Sequence, residues 1–334
     1  MAETATLDAS TAVPYLRRHG VVDGDAEASS LGGGVSNAVV RVDAGAESYV
    51  LKQPHPNLRV ADDWPADVSR VHNEAAAARA YADVVERAGI DDVVVPEVVF
   101  ESREDHVIVV TCAPDEATMW KRDLLAGRVD AGVAASLGRF LGTAHRLAAG
   151  TDDVRASFRD KTPFDQLRVD PYHRTTADRH PDLAEPVLAE AERVLAADRT
   201  LVHGDYSPKN VLVADDLWVL DFEVAHWGDP AFDAAFMLNH LFIKSIHVAD
   251  ARAALRRSAL AFWRRYEAAV EWDVERETVA ELSVLMLARV DGKSPVEYAD
   301  ETTRARLREV ATRGLRGEAE TVDGFADLVR EACA

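Results

Sequence analysis

Three side chains able to handle a metal-bound phosphate stand near one another in this chain. They are Asp205 and Asn210, in His203-Gly-Asp-Tyr-Ser-Pro-Lys-Asn210, and Asp221, in Leu220-Asp-Phe-Glu223. Between them lie two short apolar runs, Val211-Leu212-Val213 and Leu217-Trp218-Val219-Leu220, separated by Ala214-Asp215-Asp216. Apolar runs on either side of an acidic turn read as a tight hairpin, which returns the chain to its start and sets Asp221 beside the Asp205–Asn210 loop. Asp205 can then align or deprotonate a hydroxyl, while Asn210 and Asp221 offer hard oxygen ligands to Mg²⁺. That division of labour is what phosphoryl transfer from a metal-bound nucleotide requires. An Asp beside a Gly is ordinarily a turn former, but three such residues at this spacing outweigh that reading.

The remaining tasks are to position the nucleotide and neutralise its charge. Lys52 closes the run Tyr49-Val50-Leu51-Lys52, where an ammonium at a strand end can reach phosphates. Glu74, midway along the next helical stretch, is placed to orient it. Leu31-Gly-Gly-Gly-Val-Ser-Asn-Ala-Val39 offers Gly33, Gly34, Ser36 and Asn37 as a phosphate-contacting turn. Gly292-Lys293-Ser294 resembles the end of a Walker motif, but Leu287 stands where the first glycine belongs and a helix precedes it, so it is no P-loop. His203 and His145 read as structural, and the other histidines lack metal-ligand spacing.

The elements that must hold these residues fall into two groups. Strand-like runs occupy 26–31, 37–42, 48–52, 96–100 and 106–111, with a helix at 66–88 among them and a short one at 11–20 leading. Past Ala113-Pro114-Asp115 the pattern turns helical, at 131–149, 183–197, 232–246, 251–270 and 278–290, with one or two further helices after 298. An α+β, bilobal architecture is expected: a small antiparallel-sheet lobe (1–112), a larger mainly helical lobe (113–334) and a ligand cleft between them. The composition is that of a folded protein, 48% hydrophobic and 29% charged, with a net charge of −20 that disfavours nucleic acid and anionic membranes as partners. Only six residues are lysine, at 52, 121, 161, 209, 244 and 293. The acidic residues are spread along the chain, which favours a solvated surface suited to salt over a focused cleft for a cation. Two distant cysteines, a polar start without an apolar core and no membrane-length apolar run point to a cytoplasmic protein.

At these residues the chain resembles the aminoglycoside phosphotransferase and choline kinase-like superfamily, small-molecule kinases of protein-kinase-like fold. Gly33–Asn37, Val50–Lys52, Leu201–Asn210, Leu220–Glu223 and Gly228-Asp-Pro-Ala-Phe-Asp233 carry the likeness. The resemblance implies Asp205 as the catalytic residue, Asn210 and Asp221 as metal ligands, Lys52 and Glu74 as the phosphate-positioning pair, and Thr111 and Ala113 at the adenine edge. ATP and Mg²⁺ follow as cofactors, and a small hydroxylated acceptor (a sugar, amino sugar or amino alcohol) as substrate. His-Gly-Asp in place of the His-Arg-Asp of protein kinases points the same way. Val169-Asp-Pro-Tyr172 and Glu223 are similar to methylthioribose kinases. Tyr206, Glu223, Asp229, Tyr172, Arg289 and Lys293 are the expected acceptor-side residues. A non-catalytic nucleotide-binding module and a protein kinase are the competing readings.

Overall fold

The computed structural model describes residues 6–32, 36–57 and 66–334. Gly33 and Gly34, expected at the phosphates, lie outside them. Five antiparallel strands form the small lobe's sheet, in the spatial order Glu27–Ser30, Asn37–Ala44, Glu47–Pro54, Val107–Thr111, Val98–Ser102. Alternation along them decides what each face meets. Val40, Val42, Leu51, Val107 and Val109 pack under the helix Ala9–Arg18, whose start is fixed by an Asp8–Thr11 capping box. Val50, Ile108 and Val110 face the other way, against Val71 and Ala75 of the helix Arg70–Ala88. Lys52 pairs with Val39 on one side and Ile108 on the other, and shares its face with Val50. The two-residue period therefore aims it at the Arg70–Ala88 helix and away from the outer helix. Gly89, with φ of 61°, ends that helix in the left-handed conformation.

The large lobe is built around Pro230–His247, a mostly apolar helix buried along nearly its whole length, with Asp233, Asn239, His240, Lys244 and Ser245 buried among its apolar residues. Asp229 caps it and Pro230 supplies its first residue. The helices Ala131–Ala149 and Arg252–Glu267 touch backbone to backbone: a Cβ at Gly138 would stand 2.2 Å from the Phe262 carbonyl oxygen. The hairpin Val211–Val213/Leu217–Val219 is as expected, but it belongs to a four-stranded sheet with Thr118–Met119 and, in parallel, Val93–Val94. The strand Thr200–Val202 feeds the loop at Asp205 and pairs with His226–Gly228. Several short elements were not legible in the sequence, among them the strands Thr200–Val202 and His226–Gly228, the helix Trp120–Leu125 and a π-helix over Asp165–Arg174.

His226, in that pair, is buried and stacks on Phe164 at 3.9 Å, with its Nδ1 on the Val224 carbonyl. Burial holds its pKa down at about 4. Below the ordinary imidazole value the unfolded chain binds a proton that the folded chain refuses, so this group costs stability as pH falls from 6.5 toward 4. Its contribution is constant above that window. His226→Asn should shallow the acid slope of stability by up to about 1.36 kcal/mol per pH unit there. Urea melts at pH 7 and pH 5 read it, and parallel slopes in the two proteins would refute it.

Candidate active site

The loop His203–Asn210 is held from below by one carboxylate. Asp233, fully buried in the central helix, accepts the backbone N–H groups of His203 (2.7 Å) and Gly204 (2.8 Å), and His145 Nε2 lies 3.3 Å from it. Gly204 has φ of 76°, and a Cβ there would meet the Val224 carbonyl oxygen at 2.6 Å, so the turn needs glycine twice over. His203 is structural: Nδ1 accepts from the Asp205 amide while Nε2 donates to the Leu220 carbonyl, which ties the loop to the residue before Asp221. That pairing corresponds to a neutral ring, and burial lowers its pKa accordingly.

Asp205 is itself almost fully buried, and three groups converge on its Oδ2. These are Arg168 at 2.9 Å, Lys209 Nζ at 3.0 Å and Asn210 Nδ2 at 2.8 Å. Burial works to raise its pKa, but the Arg168 and Lys209 charges, with hydrogen bonds from Lys209 and Asn210, hold it at about 2. The carboxylate is an anion at every physiological pH. Arg168 comes from the π-helix, where its Nε also donates to the Gly204 carbonyl and its Nη1 to its neighbour Leu167. Sequence reasoning missed it, because an i to i+5 helix carrying an internal Pro171 leaves no regular period to read.

Asn210 lies where the hairpin opens: Val211 pairs with Val219, and the Leu220 amide donates to the Asn210 carbonyl. Asp221 follows at once in the left-handed conformation, with φ of 70°, a strained choice for a non-glycine residue of the kind that clusters at functional sites. Lys52 Nζ lies 3.5 Å from Asp221 Oδ1 and forms an ion pair with Glu74. Burial alone would lower the ammonium's pKa, but Glu74 and Asp221 outweigh it and keep Lys52 charged. Glu74 is pushed up to about 7, by burial and by Asp221 and Glu223, against the pull of Lys52. That surplus of buried negative charge suits a site that receives a cation. With Nδ2 of Asn210 turned to Asp205, its amide oxygen and the Asp221 carboxylate are a fitting hard donor pair for Mg²⁺.

Beside this cluster opens a cleft of about 310 Å³, lined by Leu31, Val39, Lys52 and Val110 above and Leu212 and Asp221 below, with Thr111 and Ala113 at its edge. Apolar walls with a few polar groups at one edge suit a planar ring, and Lys52 sits at the inner end. Arg41, which sequence reasoning passed over, closes the mouth by pairing with Asp43 and, at 2.6 Å, with Asp115 of the connector.

Other expected site residues are engaged elsewhere. Glu223 Oε2 meets Arg70 Nε at 3.1 Å and Asn37 Nδ2 at 3.2 Å, while Asn73 donates to its carbonyl. Arg70 also grips the Ser36, His55, Ala66 and Asp67 carbonyls. Glu223, Asn37, Ser36 and Arg70 thus strap the two lobes together, and Glu223 is no free acceptor ligand. Tyr206 is 1% exposed and donates to the Leu137 carbonyl in the core; Asp229 caps the central helix and pairs with Arg193. Neither faces the cleft. Arg289 and Tyr172 do meet, at 3.3 Å, and the Lys293 amide donates to the Pro171 carbonyl of the π-helix.

A sheet lobe and a helical lobe around a nucleotide-sized cleft, with an acid, an amide and a second acid at its base, define a protein-kinase-like phosphotransferase. The profile of the phosphotransferase enzyme family matches residues 27–278, and the chain belongs to that family, as an enzyme of the small-molecule kinase class. A methylthioribose kinase of Bacillus cereus is 27% identical over 288 residues, covering 77% of this chain and 70% of that protein. One from Bacillus mycoides is 25% identical with the same coverage. A spectinomycin phosphotransferase solved with ADP and spectinomycin superposes with a TM-score of 0.55 at 12% identity, over 98% of this chain and 100% of that one. A choline kinase from Streptococcus pneumoniae gives 0.51 at 13% identity, over 92% and 99%. These two likenesses are of fold. Among the described residues no helix is long and apolar enough to cross a membrane.

Proposed function

We propose that the chain transfers the γ-phosphoryl group of Mg-ATP to a hydroxyl of a small metabolite. The observation that carries this reading is the convergence at the cleft base: an ionised Asp205 held by three donors, beside Asn210, Asp221 and the Lys52–Glu74 pair. In the transfer the bond from the γ-phosphorus to its bridging oxygen breaks, a bond from the acceptor oxygen forms, and the hydroxyl proton leaves toward Asp205. A carboxylate with a pKa of about 2 is a weak base. Its main work is to orient the hydroxyl, with proton loss late in a loose transition state. Bound Mg²⁺, held by Asn210 and Asp221, would neutralise charge on the phosphates. Lys52, kept cationic by Glu74, holds the phosphate end of the cleft, and Thr111 and Ala113 edge the base.

Lys52→Ala should weaken Mg-ATP binding roughly tenfold or more in isothermal titration and leave adenosine binding nearly unchanged, since only phosphate contacts are lost. Equal Mg-ATP affinity in variant and wild type would refute the placement of the phosphates.

A further inference from the structure

Around Asp205, cations gather that do not line the nucleotide cleft. From Asp205 the contacts run through Arg168 to Tyr172 and Phe236, with the guanidinium 5.9 and 5.7 Å from their ring centroids. Arg289 lies over Tyr172 as well, at 5.8 Å. One face of the central helix continues the path at four-residue spacing, Phe236 to His240 to Lys244. The Lys244 ammonium lies 5.6 Å from the Tyr298 ring centroid, as does that of Lys121 from the connector side. Burial, and then the charges of Lys244, Arg289, Lys209 and Lys121, hold the His240 imidazole well below its ordinary pKa, while Lys244 and Lys121 share the Tyr298 ring and Arg289 and Arg168 the Tyr172 ring. Among the described residues the ion pairs of these five cationic side chains run to two carboxylates, Asp205 and the Glu297 partner of Lys121, with Asp221 and Glu223 adding negative charge from beyond pairing distance at the Arg168 end.

Two features separate this cluster from an ordinary basic surface. Lys244 is 0% exposed, and its ammonium donates to the His240 carbonyl of its own helix, at 3.1 Å. Among the described residues no carboxylate lies within ion-pair distance of it, although the protein carries 58 acidic residues. A buried ammonium without a counter-ion is costly, and most proteins pair it or dispense with it. Three of the six lysines, 121, 209 and 244, are gathered here. The cluster is layered: Lys244 and Arg168 lie behind, while Lys209, half exposed, and Lys121, a quarter exposed, form the rim.

We infer that the acceptor is an anion, a small hydroxylated molecule whose carboxylate or phosphate is held by Lys209, Arg289 and Lys121 in the field of Lys244, with its hydroxyl at Asp205. This deepens the phosphotransferase reading and rests on it. Such a gathering of cations repels aminoglycoside-like and choline-like molecules by like charge. Burial, then the Lys121 and Arg289 charges, bring Lys244 down to about 7, so an arriving anion would also favour its protonation.

The test is ADP release from Mg-ATP by the full chain, with four acceptor groups: hydroxycarboxylates such as glycerate and gluconate, sugar phosphates such as ribose 5-phosphate, neutral pentoses and methylthioribose, and amino sugars with choline. At least one anionic arm should exceed every neutral and cationic one about tenfold in kcat/KM, and which arm does so distinguishes carboxylate from phosphate. Lys244→Met should raise KM for that anion about tenfold with kcat within a few-fold, while its melting temperature rises relative to wild type below about pH 7, where Lys244 carries its buried charge. Lys121→Gln, on the rim, should raise the same KM without a folding defect. A preferred neutral or cationic acceptor, or unchanged anion KM in both variants, overturns the inference while leaving the kinase reading intact. No ADP release with any arm overturns both.

Discussion

Asp205→Asn should lower kcat by about 10³-fold and leave Mg-ATP affinity within a few-fold of wild type. The substitution keeps the volume and one acceptor oxygen, so the Asn210 contact has a replacement. It removes the negative charge that aligns the acceptor hydroxyl and receives its proton. Binding survives because the nucleotide cleft is lined by other residues, with Lys52 and Asp221 at its inner end. Arg168 and Lys209 lose their common counter-ion, so a modest fall in stability accompanies the loss of rate. Melting curves separate the two effects: a folded, ATP-binding and inactive variant is the expected result. Turnover within tenfold of wild type would remove Asp205 from the chemistry.

Arg168→Met should act on both stability and rate. The guanidinium is 7% exposed and holds the Gly204 and Leu167 carbonyls together with the Asp205 carboxylate. Lys209 and Asn210 stay on the Asp205 carboxylate, so the loss of one of its two cations should cost less than the roughly 3–5 kcal/mol of a fully stranded buried charge. Asp205 would also lose the largest force holding its pKa down, against burial that pushes it up. In wild type the carboxylate stays ionised down to about pH 2, so it sets no acid limb in kcat above that. In Arg168→Met its pKa rises, the carboxylate protonates at higher pH, and an acid limb should move up into the measurable range. A purely structural role for Arg168 would lower the melting temperature and leave the pH profile unmoved. Arg168→Lys should keep part of the charge effect but lose the fork that spans Gly204 and Asp205.

What the sequence made legible, and what it hid, follows from how far apart the partners lie. Asp205, Asn210 and Asp221 are joined by a hairpin of a few residues, so spacing alone set them side by side. Lys52 and Glu74 were readable because a period-two strand and a following helix leave few ways to meet, and the ion pair is present. The long helices emerged within a few residues of their expected bounds, since each carries an apolar stripe. Tyr206 and Asp229 misled for the converse reason. Nearness in sequence to Asp205 and Asp221 says nothing of direction, and these side chains turn into the core and onto a helix end. Arg70 and Glu223 are 153 positions apart, and no local pattern announces such a strap. His240 and Lys244 sit in a helix whose apolar residues dominate any periodicity, so an unpaired charge within it shows only once its neighbours are known.

The same distinction explains the acidity. A net charge of −20 raised two readings, a solvated surface and a cleft for cations. The spread of acidic residues along the chain is the ground on which the sequence favours the first. The face beside Asp205 carries the opposite sign, since Arg168, Lys209, Arg289, Lys244 and Lys121 meet there. Two fields of opposite sign, one dispersed and one focused, also fit an acceptor that must be drawn in against the charge of the whole protein.

The most direct test of the phosphotransferase reading follows the phosphoryl group itself. Wild type and Asp205→Asn are each incubated with γ-labelled ATP, Mg²⁺ and the acceptor panel, and the label is then partitioned among protein, inorganic phosphate and small-molecule products. Label in a small-molecule phosphate ester with wild type, at least about 10³-fold slower with the variant, is the predicted result. Label found only on protein, or released as inorganic phosphate equally by both, would contradict it.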